Sequence, residues 1–220
     1  MTETIAHDIA GQVAAARAAI ERRFGAMLQA IHLFGSALDG GLKPRSDIDL
    51  LVTVAVRPDE AARRAPMSDL LGVSAPPGSG GMRALEVTVI AHGDVMPWRH
   101  PARRELQFGA WLRRVPETGI VEPPRVDHDL AILLTKARQH GVALVGPPAN
   151  VLFEPAPARD FAAALLATVA QWQATGAATR ATSCSRSHAS GTAPRPAGSR
   201  RRTSPRRGCW SACRTRAGRS

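Results

Sequence analysis

Asp47-Ile48-Asp49 places two carboxylates two residues apart, and ten residues separate this pair from Gly35-Ser36 in the 220-residue chain. On a strand, residues i and i+2 share a face, so Asp47 and Asp49 project together while Ile48 and Leu50 turn to the core. Paired hard-oxygen donors on a rigid element suit Mg²⁺, which takes one or two carboxylates and completes its shell with phosphate oxygens and water. Gly35 lets the backbone approach a phosphate, and the Ser36 hydroxyl with the local N–H groups can hydrogen-bond to it. Glu86, on a later strand, offers a third carboxylate. An Asp-x-Asp pair alone is a common surface feature; the Gly-Ser turn before it and the acid after it point to polyphosphate chemistry.

The elements that must hold these groups are legible in the pattern of apolar residues. Ile5, Ile9, Val13, Ala16, Ile20 and Phe24 recur at helical spacing, which predicts an amphipathic helix over 5–24. Leu28–Phe34 reads as a short strand running into Gly35, and the β-branched run Ile48–Val54 reads as a second. Residues 59–72 read as helix, Ser74–Gly81 as a loop, and Arg83–Ala91 as a third strand with Glu86, Thr88 and Ile90 on one face. Prolines 97, 101 and 116 interrupt the stretch from His92 to Pro124, which is expected to be an extended connector. Beyond it, 126–140 and 158–173 carry helical apolar periodicity. The expected fold class is α+β, with a strand-bearing domain over 1–124, a partial helical domain over 125–175 and a disordered tail over 176–220.

Composition bounds the remaining possibilities. No run of about 18 apolar residues is present to span a bilayer. The start, MTETIAHDIAGQ, lacks the basic-then-apolar order of a secretory signal, so a cytoplasmic protein without disulfides is expected. The net charge of +11 is confined to the tail: residues 176–220 hold eleven Arg and no acid, whereas 1–175 hold 18 Lys+Arg against 18 Asp+Glu. The tail also contains all three cysteines and no Ile, Leu, Val, Met or Phe, a composition that cannot close a core. Cys209 and Cys213 lack the paired spacing of a zinc site, and His7, His32 and His128 show no metal-ligand spacing.

The segment HLFGSALDGGLKPRSDIDLLVTV resembles the nucleotidyltransferase superfamily shared with DNA polymerase β. Together with PWRHPARRELQFGAWLRR and DHDLAILLTKARQHGVALVGP, it is similar to the aminoglycoside (3'')(9) adenylyltransferases of streptomycin and spectinomycin resistance, over about residues 5–175. The resemblance implies an N-terminal nucleotidyltransferase domain followed by a helical bundle. It also implies transfer of AMP from ATP to an antibiotic hydroxyl, with two Mg²⁺ ions on Asp47 and Asp49 and Glu86 as the catalytic base. Ser36 and Ser46 fall at nucleotide-contacting positions and Asp129 at a nucleotide-site position, while Trp111 matches a tryptophan of the drug cleft. From the residues alone, Trp111 suits core packing as well, and Asp129 suits the start of a helix. A monomer with no membrane partner and no specific nucleic acid is expected.

Against that family, ATRATSCSRSHASGTAPRPAGSRRRTSPRRGCWSACRTRAGRS reads like GC-rich coding sequence translated out of frame. Plausible GC-rich codons read in another frame return helical, family-like stretches, placing the slip between about Trp172 and Ala178. The expectation is a family member with little or no activity. Two alternatives stand beside it: nucleotidyl transfer to another acceptor, such as RNA or protein, and a basic arm that binds nucleic acid through its phosphates.

Overall fold

A computed structural model describes residues 7–38, 46–76, 81–109 and 121–187. Its helices and strands are α1 (His7–Phe24), β1 (Leu28–Phe34), β2 (Ile48–Val54), α2 (Glu60–Gly72), β3 (Leu85–Ala91), α3 (His92–Val95), β4 (Ala102–Arg104), β5 (Leu106–Phe108), β6 (Arg125–Asp127), α4 (Leu130–His140), β7 (Val142–Val145), α5 (Ala149–Leu152) and α6 (Ala158–Ser187). The chain divides into two units, Met1–Ala177 and Ala178–Ser220.

In the first unit, five strands form one sheet in the order β5-β3-β2-β1-β7, and β4 pairs with β6 in a separate two-stranded ribbon. β1 runs antiparallel to β2, whereas β2 and β3 run parallel, as the crossover through α2 allows. The central strands are apolar on both faces because both faces are covered. On one side Ile48, Leu50, Val52 and Val54 of β2 and Leu85, Val87 and Val89 of β3 pack with Ile9, Val13, Ile20 and Phe24 of α1 and with Met67 and Leu70 of α2. On the other, Phe34, Leu51 and Ile90 pack with Leu130, Leu134 and Ala137 of α4 and with Phe153. Asp49, Glu86 and Thr88 alternate with the first set, so they face the α4 side.

Local capping fixes the ends of these elements. Asp59 caps α2 by accepting from Ala62 N at 2.7 Å, the usual side-chain replacement for a missing helical acceptor. The Gln12 side-chain amide donates to Val73 O (2.8 Å) and Arg83 O (2.7 Å) and accepts from Arg83 N (3.0 Å), tying α1 to both ends of the loop before β3. Ser74 Oγ accepts from Leu85 N at 3.1 Å, which sets where β3 begins.

Three expectations need correction. The segment 92–124 is not simply an extended connector: β4, β5 and, just beyond it, β6 form, and β5 becomes the edge of the main sheet by pairing antiparallel with β3. The boundary at 124/125 does not separate two bodies. The part expected to be a helical domain sends β7 back to pair antiparallel with β1, and everything to Ala177 is one unit. Finally, the backbone is helical to Ser187, where a disordered tail was expected from 176. Alanine-rich sequence sustains a helix without large apolar side chains. Cys209, Cys213 and Trp111 lie outside the described residues.

Candidate active site

The end of β1, the start of β2 and the start of β3 meet at one end of the three central strands, and the turn Gly35–Ala37 follows β1 directly. Asp49 opposes Phe34 across the antiparallel pair and is the register partner of Glu86 across the parallel pair. The two carboxylates thus stand side by side on the α4 face. Gly35 adopts φ +77°, and a Cβ built there would lie 2.3 Å from Asp49 Oδ2 and 3.2 Å from its Cγ. Glycine is therefore required twice at this position, for the left-handed backbone and for the room Asp49 takes.

Burial governs the charge state of the trio. Burial, reinforced by the charges of Glu86 and Asp47, pushes the Asp49 carboxyl up to about 7, against a smaller opposing pull from Lys136. Glu86 is also raised by burial and by Asp47, while a hydrogen bond from Gln107 Nε2 to its Oε1 (2.9 Å) works the other way. Asp47 is raised by its own burial. Three carboxyl groups whose ionised forms repel one another are the donor set that a divalent cation relieves. Among the described residues no three His, Cys, Asp or Glu groups already form a metal cage.

A cleft of about 480 Å³ opens at these strand ends, lined by Phe34, Gly35, Ser36, Asp49, Glu86, Asp129, Ile132, Leu133, Lys136 and Thr168. It adjoins a larger lobe of about 650 Å³ that shares Glu86, Asp129, Leu133 and Thr168 and adds Arg104, Gln107, Arg125 and Asp127. The wall opposite the sheet is α4. Its residues 129, 132, 133 and 136 recur at the i, i+3, i+4, i+7 spacing of one helix face, while Leu130, Leu134 and Ala137 turn into the core. Asp129 immediately precedes α4 without capping it through its side chain; instead its Oδ1 accepts from Thr168 Oγ1 of α6 at 2.5 Å.

Of the residues singled out in the sequence, Gly35, Ser36, Asp49, Glu86 and Asp129 share this cleft. Asp47 does not line it but acts on Asp49 and Glu86 through its charge. Ser46 also stays outside the lining, and its carbonyl accepts from Arg83 at 3.4 Å. Sequence reasoning missed Gln107, Arg104, Asp127, Lys136 and Thr168. The 129/132/133/136 stripe was visible as periodicity and contains Lys136; Gln107 carries no local signal.

The larger lobe is built on a buried ion pair. Arg104, its side chain only 6% exposed, donates to Asp127 Oδ2 at 2.6 Å and lies 3.5 Å from Glu122 Oε2, and burial pulls its guanidinium below the usual range despite Asp127. Without the Asp127 charge the buried Arg104 keeps only its longer contact with Glu122, so Asp127→Asn is expected to cost about 3 kcal/mol of stability. The check is a lower urea midpoint at unchanged slope, with most of the loss recovered in the double variant Arg104→Met/Asp127→Leu.

Comparison with known proteins agrees with this geometry. A nucleotidyltransferase domain is matched over residues 14–77. The chain is 54% identical over 173 residues to an aminoglycoside (3'')(9) adenylyltransferase of Escherichia coli, covering 78% of this chain and 66% of that protein. It is 38% identical over 143 residues to a spectinomycin 9-adenylyltransferase of Staphylococcus aureus, covering 64% and 55%. Among solved structures, a spectinomycin adenyltransferase from Enterococcus, crystallised with ATP and spectinomycin, superposes with a TM-score of 0.70 at 25% identity over 73% of this chain and 66% of that one. The chain thus spans 66% of the length of the first of these relatives and 55% of the second. With the strand-borne carboxylates, the glycine turn and 54% identity in agreement, the chain belongs to the aminoglycoside (3'')(9) adenylyltransferase family of nucleotidyltransferases.

Proposed function

We propose that this fold transfers AMP from ATP to a hydroxyl of an aminoglycoside or aminocyclitol such as streptomycin or spectinomycin, in the cytoplasm and as a monomer. The observation that carries the reading is the parallel register of Asp49 with Glu86, backed by the close approach of Gly35. Asp47 and Asp49 are the residues that would hold two Mg²⁺ ions, with Glu86 beside them. Such ions, when bound, lower the charge of the triphosphate and favour departure of pyrophosphate.

Glu86 acts as the general base. Gln107 occupies its Oε1, which leaves Oε2 to take the proton of the acceptor hydroxyl. The hydroxyl oxygen bonds to the α-phosphorus as the bond from that phosphorus to the bridging oxygen of pyrophosphate breaks. Burial raises the affinity of Glu86 for that proton, which suits a base that must accept it. Ser36, Ser46 and Asp129 serve the nucleotide, and Trp111 serves the drug. In the larger lobe Asp127 is paired with Arg104, so Glu86 and Asp129 are the carboxylates there that a cationic acceptor would meet.

Residues 176–220, with eleven Arg and no acid, are read here as a shifted frame and leave the chain with little transfer activity. The test is growth on streptomycin and on spectinomycin of cells expressing the 220-residue chain, beside a gene whose frame is restored between the codons of Trp172 and Ala178. Protection only by the restored gene is expected, with Glu86→Gln in that background losing about 10²–10⁴-fold in turnover. Protection by the 220-residue chain would overturn the shifted-frame reading, and full protection by the Glu86→Gln gene would overturn the base.

A further inference from the structure

The chain contains two lysines, Lys43 and Lys136, and Lys136 is the lysine among the described residues. It lies on the cleft face of α4 and lines the lobe that contains Gly35 and Ser36, but not the lobe that contains Gln107 and Asp127. The two arginines of that other lobe are already engaged, Arg104 with Asp127 and Glu122, and Arg125 with Glu122. Among the described residues the Lys136 ammonium has no hydrogen bond or ion pair. Its one interaction there is the electrostatic pull on Asp49. An exposed cation that shares a cleft with Asp49, Glu86 and Asp129 and with a turn whose glycine admits close backbone approach is placed to meet a polyphosphate bound there. An ammonium is a compact point charge with three donors, suited to phosphate oxygens that shift as a bond breaks.

We propose that Lys136 grips the β- and γ-phosphates of the bound nucleoside triphosphate, the portion that leaves as pyrophosphate. The assignment rests on the nucleotidyl-transfer reading above and adds to it a residue with a defined target. Asp129, seven residues earlier on the same face, lies where the two lobes join, so the triphosphate tail points away from the acceptor lobe and towards Lys136.

Calorimetric titration of the 220-residue protein separates this assignment from the reading it rests on. The ligands are α,β-methylene-ATP with Mg²⁺, which cannot undergo the transfer, and AMP, which lacks the β- and γ-phosphates. Lys136→Gln is expected to weaken the ATP analogue about 10- to 100-fold while leaving AMP within about twofold, and Lys136→Arg to keep most of the affinity. Lys136 is exposed, so both variants should retain the circular dichroism of the parent protein. If the parent binds the analogue and Lys136→Gln binds it equally, or if AMP loses as much as the analogue, the Lys136 assignment is overturned and the nucleotide site stands. If the folded parent binds no analogue at all, the nucleotide-site reading fails and this assignment falls with it.

Discussion

Asp49→Asn is expected to weaken Mg²⁺-ATP binding by about 100-fold or more and, in the same protein without metal, to raise the melting temperature at pH 8. The two effects have one cause. Burial together with Glu86 and Asp47 pushes the Asp49 carboxyl from 3.8 to about 7, so in the folded protein its ionisation is resisted. A folded-state pKa above the unfolded one favours folding most at low pH; that contribution is lost as pH rises from about 4 to 7 and stays lost above. The neutral amide escapes this loss, which is on the order of a few kcal/mol. Melting curves in EDTA should therefore show the gap between Asp49→Asn and the parent opening between pH 4 and 7 and then remaining constant. Each kcal/mol corresponds to roughly 2–4 °C for a chain of this size. Mg²⁺ with nucleotide should close the gap by stabilising the parent alone. A parent that is the more stable of the two at pH 8 without metal would contradict the electrostatic account.

Gly35→Ala is the second large effect, and it is steric. The new Cβ would meet Asp49 Oδ2 at 2.3 Å, while the backbone is held at φ +77°. The left-handed conformation alone costs roughly 1–2 kcal/mol for a non-glycine residue. Relieving the contact must also move either the carboxylate or the turn that presents Ser36. Nucleotide affinity should fall by about 100-fold or more, and the protein should melt earlier. The two contributions separate in an Asp49→Ala background, where the nearest remaining atom, the Asp49 Cβ, lies 3.5 Å from the added methyl, an ordinary contact. There Gly35→Ala should cost only the backbone strain. An undiminished stability cost in that background would place the clash elsewhere.

The elements nearest the chemistry were the ones most legible in the sequence. β1 and β2 have the bounds expected from their apolar runs, α1 ends at Phe24 as expected, and α2 and β3 differ only at their first residues. Their patterns are strong because each is long and packs on a continuous core. β4, β5 and β6 have three residues each, too few for a period to show, and they are strands only because distant partners pair with them. β7 was hidden for the same reason: Val142–Val145 follows a helix without alternation and is defined by its place beside β1. At the site, Gly35, Ser36, Asp49 and Glu86 could be named from residue type and spacing. That Asp49 and Glu86 are register partners depends on how β2 and β3 align across the 30 residues between Val54 and Leu85, and no local pattern encodes that offset. Gln107 reaches Glu86 only because β5 joins the sheet edge.

Helix α4 carries Asp129 at its entrance and Lys136 two turns later on one rigid face, about 10 Å apart along the axis. On the proposed function, that face gives the cleft an electrical direction, favouring a ligand whose cationic part lies at Asp129 and whose phosphates lie at Lys136. A bisubstrate inhibitor joining an aminocyclitol to a nucleotide is then expected to bind in that order. The same pieces linked in reverse would place each charge against its like, and no side-chain rotation on a single helix could correct both ends at once.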